Sequence, residues 1–416
     1  MTPPRRAARS RAWTPEDAER KLLSLELFGM RFGLDRMRRL LTALGSPQET
    51  FRSVHVVGTN GKSSTTRMVA AILGRHGLRA GSYLSPHLVS FAERVRVGDA
   101  DVTPQAFAAA VERASGAAAK VERTLQPGDR VTQFELLTAA AYALLAEEDV
   151  DVAVVEAGLG GRYDATNVLD SSVAVLTNVG LEHTRWLGPT VADIAREKLD
   201  VVRPHSTLVV GEGLHPDALA LAEEVSAERN ARLVVAGADP GVEVHASGEF
   251  QRRNFALARA AAEAFLGDLD EDALRAAAAD VTVPGRFQVV DEAGGGVVIL
   301  DGAHNPGGMA ALAGALRTFL AGRRLVACVS ILDDKDAAGM LRELLPLCAE
   351  VVFTQNANPR ALPPATLESL SRQLGGPPAR TVPEPHAALD AARASAGPDG
   401  VALATGSIYL VGDLLR

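Results

Sequence analysis

Val56-Val57-Gly58-Thr59-Asn60-Gly61-Lys62-Ser63-Ser64 decides how the rest of this 416-residue chain is read. The β-branched run Val54–Val57 leads into it, and a helical stretch, Ser63–His76, leads out. Strand, glycine-rich turn and helix in that order make a phosphate loop. The glycines let the backbone turn until its N–H groups point inward, and the helix N-terminus adds partial positive charge. Lys62 supplies a point charge for the β- and γ-phosphates of a nucleotide. The usual spacing has a glycine where this chain has Val56, so the motif is a variant. The bland alternative is a glycine-rich turn with a surface lysine, and the flanking strand and helix argue against it.

Working outward, Val150–Glu156, Val173–Thr177 and Leu208–Val210 read as further buried strands. Val131–Glu147 and Val191–Val202 read as helices between them. This alternation predicts an α/β fold, a P-loop NTPase-like domain with a mostly parallel sheet. Val89–Val97 (VSFAERVRV) has a two-residue period and predicts a small hairpin. After Gln288–Asp291 comes Glu-Ala-Gly-Gly-Gly, a linker at 292–296 whose three glycines suit a hinge. The pattern then restarts with strands at Val297–Leu300, Leu325–Val329, Val351–Thr354 and Val401–Thr405. The expected organisation is therefore a domain at 1–291 and a smaller, Rossmann-like α/β domain at 297–416. Two domains also suit the length, which exceeds what one core usually holds. The basic opening, residues 1–12, reads as a frayed tail.

Composition removes several classes of protein. The formal net charge of −8 argues against a general nucleic-acid binder, so an anionic ligand must be held by a few local cations and backbone N–H groups. Cys328 and Cys348 are the only cysteines, which excludes a disulfide framework or zinc cluster and reads as two reduced core residues. No run of about 18 apolar residues exists to span a membrane, and the basic opening leads into no apolar signal segment. A cytoplasmic protein is the expectation.

Three polar residues stand just beyond strands or on a helix near the loop. Glu156 ends an apolar strand, where ligands of parallel sheets collect, and a carboxylate there suits Mg²⁺, a hard ion that wants oxygen. A strand-end salt bridge is its alternative. His183, in Thr177-Asn-Val-Gly-Leu-Glu-His-Thr, would alone be a capping or core histidine. Lys198, in Ile194-Ala-Arg-Glu-Lys, would alone be a solvated helix lysine. What overturns both readings is the ordered set of motifs in which they stand.

The ordered set of motifs closely resembles the folylpolyglutamate synthase and dihydrofolate synthase family, relatives of the Mur ligases. The match runs nearly end to end: Leu27-Phe-Gly-Met-Arg-Phe-Gly-Leu-Asp-Arg36, GTNGKSS at 58–64, Tyr83-Leu-Ser-Pro-His-Leu with Glu93-Arg94, and Gln133-Phe-Glu. EAGLGGRYDATN at 156–167, GLEHT at 180–184 and Glu197-Lys198 follow. Gln251-Arg-Arg-Asn254, Pro284-Gly-Arg286, DGAHNP at 301–306, Asp334-Lys-Asp and Thr405-Gly-Ser-Ile-Tyr complete it. Each motif is weak alone, and their order is specific.

The resemblance implies the roles. Gly58, Thr59, Asn60, Gly61, Lys62, Ser63 and Ser64 would cradle ATP phosphates, and Asn254, Arg286 and Asp301 would contact the nucleotide. Ser85, Glu156 and His183 would ligate Mg²⁺. Lys198 would be carbamylated and take a second Mg²⁺, and a potassium ion is a further cofactor of this reading. Lys62, Lys198 and His304 would be the catalytic set. Gly33, Leu34, Asp35, Arg36, Gln133, Phe134, Glu135, Tyr163, Asp164 and Ala165 would line the site for the pterin-bearing substrate. The implied reaction is ATP-dependent joining of L-glutamate to dihydropteroate or to a folate through an acyl phosphate, by a monomer that binds neither nucleic acid nor membrane. Two departures stand out: Ser63 replaces a glycine common in the family, and Glu182 stands where aspartate is usual. The rivals are a Mur-type ligase acting on a UDP-linked precursor, disfavoured because the loop begins at Gly58 with little chain ahead of it, and a nucleotide-binding protein without ligase chemistry. The latter has no need of Lys198 or DGAHNP.

Overall fold

The computed structural model describes residues 12–25, 33–291 and 296–416. The tail at 1–11, the Leu27–Phe32 part of the first motif and the linker up to Gly295 lie outside the described residues.

Strands β1 (Arg52–Val57), β2 (Ala80–Tyr83), β3 (Val95–Val97), β4 (Ala100–Asp101), β5 (Val152–Glu156), β6 (Val173–Leu176), β7 (Thr207–Gly211) and β8 (Arg232–Ala236) form one sheet. Its order is β4-β3-β2-β5-β1-β6-β7-β8. From β2 to β8 neighbours run parallel, while β3 and β4 add an antiparallel edge. β1 lies at the centre with Ser53–Val57 buried, as its near-continuous apolar run requires of a strand covered on both faces. On one face Met68, Ile72 and Leu73 of the helix Lys62–Arg75 pack with Phe255 and Phe265 of the helix Glu249–Leu266. On the other, Leu136 and Tyr142 of the helix Gln133–Glu147 pack with Tyr83 and Val155. The sheet is thus clamped so that the carboxyl ends of β1, β5 and β6 share one edge.

Phe255 is fully buried between the two helices behind the phosphate loop. Phe255→Ala should lower unfolding free energy by about 3–5 kcal/mol, a transfer loss plus a cavity, read from the midpoint of denaturant unfolding.

The second sheet contains β9 (Gln288–Asp291), β10 (Val297–Leu300), β11 (Leu325–Val329), β12 (Glu350–Phe353), β13 (Ala379–Thr381) and β14 (Val401–Thr405) in the order β13-β12-β11-β14-β10-β9. All neighbours are parallel except β9, which runs antiparallel to β10. β9 is a correction to the expected boundary at 291: it hydrogen-bonds to the second sheet, and its short apolar run carries no sign of which sheet it joins. Cys328 and Cys348 are buried free thiols, each pushed up to about 12 by burial.

The expected hairpin at Val89–Val97 is half right. Phe91–Arg94 is a 3₁₀ turn, because Ser90 and Glu93 form a capping box. Only Val95–Val97 is strand, paired to Ala100–Asp101.

Candidate active site between the two sheets

The phosphate loop begins where β1 stops. Gly58 and Gly61 have φ of +151° and +82°, a region that disfavours side chains. A Cβ on Gly58 would stand 1.8 Å from Thr177 Oγ1, and one on Gly61 would stand 2.6 Å from Asn254 Oδ1. The end of β6 holds the loop from beside it. Thr59 N–H donates to the Asn178 carbonyl at 3.0 Å, Asn60 N–H to Asn178 Oδ1 at 2.9 Å, and Thr177 Oγ1 to the Asn60 carbonyl at 2.6 Å. Lys62 Nζ folds back onto the carbonyls of Gly58 and Thr59, each at 3.2 Å.

Glu156 sits at the end of β5 with both oxygens engaged. Ser63 Oγ donates to Oε1 at 3.0 Å and Ser85 N–H to Oε2 at 3.0 Å. The Ser85 hydroxyl accepts from Arg94 Nη1 at 3.2 Å. Lys198, on the helix Val191–Leu199, donates to the Gly58 carbonyl at 2.8 Å. From the second sheet, Asp301 follows β10 and accepts from the N–H groups of Phe287 and Ala303 at 2.7 and 2.8 Å. His304 Nδ1 lies 2.8 Å from the Gly302 carbonyl.

These groups converge on a cleft of about 410 Å³ with walls from both sheets. Every residue expected to bind nucleotide or metal lines it: the loop Gly58–Ser64, Ser85, Glu156, His183, Lys198, Asn254, Arg286, Asp301 and His304. The residues expected on the pterin side do not. Gly33 and Leu34 precede the helix Asp35–Ala43, on which Asp35 bonds Arg39. Arg36 Nε bonds Glu135 at 3.1 Å, and Gln133 Nε2 donates to the Leu22 carbonyl at 2.8 Å. Phe134 packs where a side chain on Gly158 would stand. Asp164 is buried and accepts from Leu159 and Thr166 N–H, Ala165 is buried beside it, and Tyr163 is exposed. Sequence reasoning gave no site role to Asn178, Phe250 or Asn305, and noted Glu182 only as a departure from the family's aspartate. Asn178, Phe250 and Glu182 line the cleft, and Asn305 bonds the loop residue Asn60. Asn178 lay in a segment whose reading turned on His183 and Glu182.

Burial governs the electrostatics. It raises Glu156 above the usual carboxylate range, against the pull of Lys62. It lowers His183 to about 4 and Lys198 to about 7, Lys62 adding to the second shift. It lowers His304 as well. Burial would raise Glu182, but His304, Lys335 and His183 carry it down to about 2. At neutral pH both imidazoles are uncharged, so Lys335 is the cation that matters.

These residues fit Mg²⁺. A neutral imidazole offers its lone pair, a hydroxyl and a buried carboxylate offer oxygen, and a cation would offset the cost of keeping Glu156 ionised. Among the described residues no group of three or more His, Cys, Asp or Glu forms a ready cage. Ser63→Ala should remove the hydrogen bond to Glu156 Oε1 and raise the Mg²⁺ concentration for half-maximal rate about three- to tenfold, with Ser63→Thr restoring it.

A phosphate loop on a parallel sheet, facing across a cleft a second α/β domain that supplies Asp301 and His304, defines a two-domain ATP-dependent ligase. The family "Mur ligase, glutamate ligase domain" matches residues 285–408. The dihydrofolate synthase/folylpolyglutamate synthase of Mycobacterium tuberculosis is 35% identical, covering 92% of this chain and 88% of its own. The Escherichia coli enzyme of that name is 33% identical, over 92% and 90%. Among solved structures, M. tuberculosis folylpolyglutamate synthase complexed with ADP superposes with a TM-score of 0.89 at 34% identity, over 96% of this chain and 97% of that one. E. coli FolC in complex with DHPP and ADP gives 0.86 at 31%, over 97% of each. The chain belongs to the dihydrofolate synthase/folylpolyglutamate synthase family, and it is an ATP-dependent glutamate ligase.

Proposed function

We propose that this chain joins L-glutamate to both dihydropteroate and reduced folates, using one cleft for both acceptors. The observation that carries the reading is that single cleft, where Lys62, Glu156 and Lys198 meet Asp301 and His304 from the other domain. The M. tuberculosis and E. coli relatives are dihydrofolate synthase/folylpolyglutamate synthases, names that pair the two activities, and the E. coli neighbour is in complex with DHPP and ADP.

A carboxylate is a poor electrophile, and ATP overcomes this. An acceptor carboxylate oxygen attacks the γ-phosphorus and ADP leaves. The glutamate amine then attacks the acyl carbon, phosphate leaves, and the amine loses a proton. The protein's share is positioning and charge neutralisation. Loop N–H groups and Lys62 hold the phosphates, while Asn254, Arg286 and Asp301 fix the nucleoside end from both domains. His304, neutral at pH 7, orients the reacting groups. Mg²⁺ held by Ser85, Glu156 and His183, and a second ion on carbamylated Lys198, would supply charge neutralisation and templating for the phosphates. Walls from both domains keep water from the acyl phosphate. Gly33–Arg36, Gln133–Glu135 and Tyr163–Ala165 border the pterin end from outside the cleft, several of them by fixing the packing beneath it. A domain division near residue 286, a monomeric state and a potassium requirement complete the reading.

The test is ADP release with Mg·ATP and L-glutamate, with dihydropteroate and tetrahydrofolate supplied separately. Release with both supports the dual role, release with one restricts it, and silence with both overturns the reading.

A further inference from the structure

Glu182 lies in the loop after β6, in the half of the molecule that carries the phosphate loop, yet its strongest partners come from the other half. Lys335 Nζ donates to Oε1 at 2.9 Å and Asn305 Nδ2 to Oε2 at 3.0 Å. His304 Nε2 stands 3.5 Å from Oε1 and His183 Nε2 3.7 Å. The Glu182 and Lys335 side chains are only 10% and 11% exposed, so this is a largely dry ion pair, where loss of either partner is costly.

Asn305 extends the contact to the phosphate loop. It caps the helix Pro306–Leu320, its Oδ1 accepting Gly308 N–H at 2.7 Å. The same oxygen accepts from Asn60 Nδ2 at 3.2 Å, and its Nδ2 donates to Asn60 Oδ1 at 2.9 Å as well as to Glu182. Both hydrogens and both lone pairs of that amide are thereby used. Gly308 eases the approach, since a Cβ there would stand 3.3 Å from Asn60 Oδ1. Asn60 thus has its backbone tied to Thr177 and Asn178 on one side, and its side chain tied to the far domain.

We propose that Glu182 is a positioning residue: by gripping Lys335 and Asn305 it seats the C-terminal domain on the phosphate loop and fixes Asn60, so that nucleotide affinity depends on interdomain closure. Glu182, Asn305 and Lys335 stand in three separate motifs, none of which announces the contact between them, and its length matters. Aspartate would keep the charge but fall one methylene short of Lys335 and Asn305.

The test uses the full chain. Glu182→Asp should weaken ADP binding by calorimetry about tenfold and enlarge the radius of gyration in small-angle scattering without ligand. The KM for ATP should rise by a similar factor, with kcat falling less than about threefold. Lys335→Met probes the same contact from the other domain and should also weaken ADP binding. Glu182→Gln combined with Lys335→Met should cost less than the sum of the two single changes. Unchanged ADP affinity and scattering in Glu182→Asp overturns the proposal. So does a fall in kcat with ADP affinity and scattering held, which would place Glu182 in the chemistry. If Glu182→Asp does not fold, Lys335→Met decides alone, and wild-type ADP affinity there overturns it. ADP binding and scattering need no acceptor, so these outcomes are separate from those that judge the choice of acceptor.

Discussion

Lys62→Ala should slow ADP release by about 10²–10³-fold, the scale of losing one preorganised charge at a transition state. The side chain is half-buried and, among the described residues, hydrogen-bonds to the Gly58 and Thr59 carbonyls of its own loop, so its loss leaves the packing behind the sheet intact. The melting temperature should therefore move by only a few degrees while turnover collapses. A second consequence follows from Glu156. Lys62 is the largest influence holding that buried carboxyl down. Without the cation Glu156 rises further and gains its proton at higher pH, so the acid limb of the pH–rate profile should shift upward. Residual activity can be followed across pH in the variant. An unmoved acid limb would separate Glu156 from catalysis.

Lys198→Ala should be comparably severe, about 10²–10³-fold in turnover, because a neutral methyl can neither form a carbamate nor bond the Gly58 carbonyl. Burial, helped by Lys62, lowers Lys198 to about 7, so a large fraction of the amine is neutral at physiological pH and able to add CO₂. Wild type incubated with ¹³C-bicarbonate should show a carbamate carbon resonance that Lys198→Ala lacks. Linkage adds a stability signature for the unmodified side chain. Its folded pKa lies below its unfolded value, so between about pH 7 and 10.5 the unfolded chain binds the extra proton and stability rises with pH. Below pH 7 both states are protonated, and the folded state bears the full cost of a buried ammonium. Lys198→Ala should flatten that slope in denaturant unfolding measured with CO₂ excluded.

The loop that lines the cleft was legible because it is local. Strand, Gly58-Thr59-Asn60-Gly61-Lys62 and helix are contiguous, and their conformation follows from glycine and from helix polarity. Glu156 and His183 were legible for a related reason: strand ends in parallel sheets collect at one edge, so position along the chain predicts position in space. The contacts across the cleft were not legible. Asn60 meets Asn305 across 245 residues and Glu182 meets Lys335 across 153, and no local pattern announces either pairing. The residues expected on the pterin side stand outside the cleft, and the sequence did not account for their polar atoms. Gln133 is spent on the Leu22 carbonyl and Glu135 on Arg36, which sequence alone could not distinguish from substrate contacts. β9 failed for a simpler reason, since four residues of strand pattern do not say which sheet completes them.

Whether one cleft uses ATP to make an amide bond to glutamate is decided by mass spectrometry of a reaction containing the full chain, Mg·ATP, L-glutamate and dihydropteroate. The expected product is heavier by one glutamyl residue, formed in step with ADP and absent when glutamate is omitted. ADP formed at the same rate without glutamate, with no glutamylated product, would contradict the ligase reading.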